Sequence, residues 1–255
     1  MYPASKPQRN TMSKKNCKDY PDDLLSREQE YRRQGWWSGE QLQDRYEKIV
    51  SSRGENLAVV DNRGRRLTHN ELWVASGNLA DVLANQGVCK GEVVIVFLPN
   101  WVEWQVALLG ILRMGGIPAN LPIRIDTDNL RYVAELTGTR AIITTKLHSS
   151  TSTREIAFAA AELCEHRIDI LFVDENAHSW EKIEDKPLPS APNVFGLDHI
   201  MFTSSTTGRA KAVMHSADTL AALNLTFTER FSLGAHDPIF MASPLGHSVG
   251  TIHGA

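Results

Sequence analysis

An α/β fold, with a mostly parallel sheet flanked by helices, is predicted by three observations. Short apolar runs recur at Leu57–Val60, Val93–Leu98, Ala141–Thr145, Ile168–Val173, His199–Thr203 and Pro238–Ala242. Helical patterns lie between most of them. The chain has 255 residues, 42% of them hydrophobic, which is enough for one sizeable core. Strands that alternate with helices pair in parallel and are covered on both faces.

Each element has its own local reason. After the first run, Thr68 and Glu71 form a capping box that opens a helix to about Gln86. After the second, Asn100 with Glu103 is placed to cap a helix whose apolar residues (Trp101, Val102, Trp104, Val106, Leu108, Leu109, Ile111, Leu112) surround its axis. Such a helix is buried on most sides. Gly115-Gly116 ends it. Asp126 or Asp128 caps a short helix to Leu136, Ser152 with Glu155 starts one running to His166, and Ala217 to Phe231 forms another. Residues 175–198 carry Pro187, Pro189 and Pro192 among scattered acids, and read as a surface connection within one domain.

The start is basic and polar, with Lys6, Arg9, Lys14, Lys15 and Lys18 and no apolar run, so it is not a secretory signal. Residues 1–20 are expected to be a disordered basic arm. A net charge of −3 favours neither nucleic acid nor an anionic membrane surface. Cys17, Cys89 and Cys164 are far apart, with no metal-ligand spacing, as in reduced cytoplasmic proteins. The longest apolar helical stretch, Trp101 to Met114, is interrupted by Glu103, Gln105 and Arg113 and falls short of the ~20 residues a membrane span needs.

One stretch is poorly explained by folding alone. Thr203-Ser204-Ser205-Thr206-Thr207-Gly208-Arg209-Ala210-Lys211 runs five hydroxyl residues into a glycine, with a lysine three positions on. A hydroxyl-rich turn offers many donors, glycine frees the backbone and lysine adds charge, a combination suited to a polyphosphate. It leaves the end of a predicted strand, where α/β proteins bind ligands. It is not a Walker loop, because Gly208 and Lys211 do not fit that spacing.

The stretch resembles the phosphate-binding loop of the adenylate-forming (AMP-binding) superfamily, [YF]-T-S-G-[ST]-T-G-x-P-K-G, through Phe202, Thr203, Ser204, Thr206, Thr207, Gly208 and Lys211. Ser205, Ala210 and Ala212 depart from it, replacing a glycine, the proline and the last glycine. Other landmarks follow in the family's order. Leu67–Leu72 is similar to L-T-Y-x-E-L, Leu98-Pro99-Asn100 to the L-P-N turn, and Leu112–Ala119 to L-x-x-G-[AG]. Pro244–Gly250 is similar to P-L-x-H-x-x-G, which lines the acyl pocket in the family, and Tyr31–Trp37 to Y-x-x-x-G-W-W of aryl-acid and alicyclic-acid ligases.

The resemblance implies an acid–CoA ligase that uses ATP with Mg²⁺ and CoA as co-substrate. A carboxylic acid is activated as acyl-adenylate, and the protein mainly positions and stabilises charge. Thr203, Ser204, Ser205, Thr206, Thr207, Gly208 and Lys211 would hold the phosphates, while His247, Ser248 and Gly250 would belong to the substrate pocket. Ser248 stands where hydroxybenzoate-type ligases often have asparagine, which tilts the substrate toward an aliphatic or alicyclic acid. If the loop needs positive φ at Ser205, serine costs about 1 kcal/mol or more there.

The family's later motifs, namely an adenine- and Mg²⁺-holding turn, a ribose aspartate and a catalytic lysine, are not located in these residues. Residues 21–255 are therefore expected to form a partial N-terminal domain, inactive alone and completed by a complementary C-terminal chain. A non-catalytic remnant or binding module is the alternative. A rival motif, Gly246-His247-Ser248-Val249-Gly250, matches the G-x-S-x-G elbow of α/β-hydrolases. It lacks the downstream acid that such a triad needs.

Overall fold

The computed structural model describes residues 22–149, 151–173, 178–181, 186–189, 197–203 and 209–254. The expected arm, 1–20, lies outside them. Two helices come first, α1 (Asp22–Arg33) and α2 (Leu42–Arg53), followed by a small antiparallel hairpin of β1 (Leu57–Val60) and β2 (Arg66–Thr68). The first apolar run therefore forms its own ribbon and does not join the main sheet. Next comes α3 (His69–Asn85), opened by the expected capping box. Thr68 Oγ1 accepts from the Glu71 amide at 3.2 Å, and the Glu71 carboxylate accepts from the Thr68 amide at 2.8 Å.

The main sheet, among the described residues, has seven strands. In chain order they are β3 (Val93–Phe97), β4 (Ile117–Asn120), β5 (Thr139–Thr144), β6 (Asp169–Val173), β7 (His178–Glu181), β8 (His199–Phe202) and β9 (Ala212–His215). Their spatial order is β7-β6-β5-β3-β4-β8-β9. The five inner strands are parallel, and β7 and β9 close the edges antiparallel. Successive residues of β3 serve opposite cores. Val93, Ile95 and Phe97 face α5 (Thr127–Thr137) and α6 (Thr153–Leu163), while Val94 and Val96 face α3 and α4 (Val102–Arg113). Both sides being dry, β3 reads as an unbroken apolar run.

As predicted, α4 is buried nearly all round, Glu103 included. That carboxylate is satisfied by Arg63 and Arg65 from the β1–β2 turn, while Asp61 accepts from both of their amides and from the Val102 amide. Charges thus seat the hairpin on the start of α4. Asp126 caps α5 by accepting from the Asn129 amide at 2.8 Å, and Ser152 caps α6 from the Glu155 amide at 3.2 Å. The α6 helix ends at Leu163, short of His166.

Three expectations are corrected. Pro238–Ala242 is not a strand: it is irregular and leaves Ile239 and Phe240 exposed, at 51% and 92%. The 175–198 stretch contains β7, paired with β6. Asn100 does not cap α4, whose N-cap is Trp101. Its amide donates to Ser243 O at 2.8 Å and its Oδ1 accepts from the Leu245 amide at 2.7 Å. One side chain thereby ties the turn after β3 to the segment that leads into α8 (Ser248–Gly254), which follows α7 (Ala217–Arg230).

Candidate functional site

The site grows from the β8–β9 hairpin. Antiparallel pairing brings Phe202 opposite Ala212 and His199 opposite His215. The pairing ends where the Thr203 amide donates to Lys211 O at 3.1 Å and the Lys211 amide donates to Thr203 Oγ1 at 3.4 Å. Thr203 and Lys211 are thus exposed side by side at the carboxyl end of β8, the expected end of the sheet for a ligand. Ser204, Ser205, Thr206, Thr207 and Gly208 lie outside the described residues. Beyond the stem, the Arg209 guanidinium stacks over the Tyr132 ring at 4.6 Å.

Period-two alternation puts His199, Met201 and Thr203 of β8 and Val213 and His215 of β9 on one face of the hairpin. On that face a cavity of about 320 Å³ opens, lined by Met201, Thr203, Val213, His215, His247 and Ser248 among others. It therefore brings together one end of the hydroxyl loop and two of the three residues assigned to the substrate pocket. The third, Gly250, is buried in α8. A Cβ there would sit 2.1 Å from Pro244 O, so Gly250 allows close packing behind the cavity. His247 donates its amide to Pro244 O at 2.9 Å, and its carbonyl accepts from the Thr251 amide at 2.8 Å, which starts α8.

A buried polar chain holds α8 against the sheet. Asn120 Nδ2, from β4, lies 2.8 Å from His199 Nε2 and donates to Thr251 Oγ1 at 3.3 Å. Thr251 Oγ1 in turn donates to Leu245 O at 2.5 Å. Burial pushes the His199 imidazole down to about 3, with the adjacent His215 ring adding to the effect. Burial also lowers His215. Both rings are neutral near pH 7, so the floor of the cavity carries dipoles and the positive charge stays at the loop. The sequence marked His247 but not His215, although the alternation Lys211, Val213, His215 along one strand was available as a signal.

A larger groove of about 500 Å³ lies between α3 and the end of α4, lined by Gly77, Asp81, Lys90 and Arg113 among others. Its Arg113 bonds Trp73 O and Ser76 Oγ and stacks 3.6 Å over the Trp73 ring, so it serves helix packing. The hydrolase elbow is not formed. Ser248 opens a short helix after irregular chain, whereas that geometry needs a strand before the serine. Among the described residues, no group of three His, Cys, Asp or Glu is placed to hold a metal, and no helix is long and apolar enough to cross a membrane.

A family model described as "AMP-binding enzyme" matches residues 46–255. The medium-chain fatty-acid–CoA ligase of Escherichia coli K12 is 26% identical over 233 residues, covering 88% of this chain and 41% of the ligase. A 4-chlorobenzoate–CoA ligase of an Arthrobacter species is 27% identical over 204 residues, 76% of this chain and 37% of its own. The chain thus spans about two fifths of the length of these ligases. Among solved structures, apo MbtA of Mycobacterium smegmatis superposes with a TM-score of 0.71 at 24% identity, over 90% of this chain and 43% of MbtA. That likeness shows a shared fold.

Proposed function

Because the chain belongs to the AMP-binding enzyme family, we propose that it supplies the phosphate loop and one wall of the acid cavity of an ATP-dependent carboxylic acid–CoA ligase. The observation that carries this reading is the placement of Thr203, at the carboxyl end of β8 and bonded by the Lys211 amide, in the cavity that His247 and Ser248 also line. In such a reaction the acid's carboxylate attacks the α-phosphorus of ATP, the bond to the bridging oxygen breaks and pyrophosphate leaves with the electron pair. The CoA thiol then displaces AMP from the acyl-adenylate.

The donor set fits the phosphates. Thr203 offers a hydroxyl, the following hydroxyl residues extend the donor array, and Lys211 offsets charge on the departing pyrophosphate. Mg²⁺ would accompany ATP, and no residue described here is assigned as its ligand. Acid entering between β8–β9 and α8 brings its carboxyl end to Thr203. The wall there is largely apolar, through Met201, Val213 and Ile252, which suits an aliphatic or alicyclic acid. CoA is the thiol named for the two ligases above. The unpaired state of Cys89 and Cys164 supports a cytoplasmic setting.

Calorimetric titration with ATP tests the loop. Lys211→Ala should weaken binding about tenfold, the size of one screened charge-assisted contact. Unchanged affinity would remove the phosphate role. ATP–pyrophosphate exchange over a panel of carboxylic acids then separates a ligase from a binding module, which would take ATP and exchange nothing.

A further inference from the structure

We propose that His215 reads the far end of the bound acid, donating from Nε2 to an acceptor there, so that the cavity favours acids carrying a distal hydroxyl or carbonyl over plain chains of equal length. This rests on the acid-activating reading above.

Distance along the strand sets the geometry. The carboxylate must meet the α-phosphorus at the loop, beside Thr203 and Lys211. His215 lies four residues further along β9 on the same face, roughly 13 Å away at ~3.3 Å per residue. Between them the wall offers Met201 and Val213, with Ile252 opposite. His215 is thus the polar group that a chain reaching past this apolar stretch would meet.

The ring's own bonding says which atom faces the ligand. His215 Nδ1 is buried with no partner, and neither ring nitrogen is hydrogen-bonded among the described residues. Leaving a buried N–H unpaired is rarer than leaving an acceptor unpaired. The proton therefore belongs on Nε2, and the ring's cavity edge is a neutral donor. Its cross-strand neighbour His199 is fixed by Asn120 and does not compete for that role. A plain chain would strip water from Nε2–H and return nothing, whereas a distal oxygen restores the bond.

The test uses decanoate and ω-hydroxydecanoate, titrated calorimetrically into the full chain. The hydroxy acid should bind about tenfold more tightly, and in His215→Phe the ratio should fall to about one. His215→Gln, which keeps an amide donor, should restore part of the preference. In ¹⁵N-histidine spectra the free chain should show His215 as the Nε2–H tautomer, its signals shifted further by the hydroxy acid than by decanoate. Equal affinities, or a ratio that survives in His215→Phe, overturn this inference alone. Failure of either acid to bind overturns it together with the acid-cavity reading. Should His215→Phe not fold, the wild-type ratio and the histidine spectra still decide.

Discussion

Replacing Asp169 with alanine should destabilise the fold by about 3–5 kcal/mol, because it strands a buried guanidinium. Asp169 is fully buried at the start of β6. It accepts from Arg140 Nη1 at 2.7 Å and from Arg167 Nε at 2.8 Å. Arg140 is itself only 3% exposed, its Nε has no hydrogen-bond partner, and its other acid, Glu92, stands 4.0 Å away. The variant would keep the cation and lose its counter-charge. Urea unfolding should show a lower midpoint at unchanged slope. The double substitution Asp169→Leu with Arg140→Met should regain most of the loss, since a buried pair contributes little over apolar residues of similar volume. A single variant within about 1 kcal/mol of wild type would show that water reaches this corner.

Acid should drain stability through His199. Its folded pKa, about 3, lies below the unfolded value near 6.5, so the unfolded chain takes up the proton first. The contribution is whole above pH 6.5 and is lost as pH falls toward 3, at about 1.4 kcal/mol per pH unit for one proton. His69, His148, His166 and His215 are also lowered, each chiefly by burial, and steepen the same window. Unfolding free energies measured between pH 6.5 and 4.5 should therefore fall by at least one proton's worth. In His199→Gln, whose amide oxygen can still accept from Asn120, the slope should be shallower by one proton. An identical slope in that variant would mean that His199 is protonated in the fold.

Legibility followed burial. The strands β3, β5, β6 and β8 show as apolar runs because dry cores lie against them. The inner strand β4 hid behind Pro118, which carries no donor, and Asn120, a polar residue in a fully buried place. The edge strand β9 hid because its residues alternate between the cavity and water. Pro238–Ala242 misled for the opposite reason: it has the composition of a strand but no neighbour to pair with. Capping residues with a partner three positions on, Thr68, Asp126 and Ser152, were readable because the bond is local. Asn100 was not, since its partners lie more than 140 residues away. The hydroxyl loop was visible as composition. The joining of Thr203 to His247 and Ser248 in one cavity, and the entry of His215, depend on how the chain returns to α8.

That return has a kinetic consequence. The Asn100 bonds to residues 243 and 245 close loops of more than 140 residues, and they do so with a single amide. Such distant closures carry a large entropy of ring formation and are completed after local helix and strand contacts. The cavity wall carrying His247 and Ser248 would then be the last part of this unit to assemble and the first to open, a subglobal fluctuation that opens the cavity while the parallel sheet stays shut.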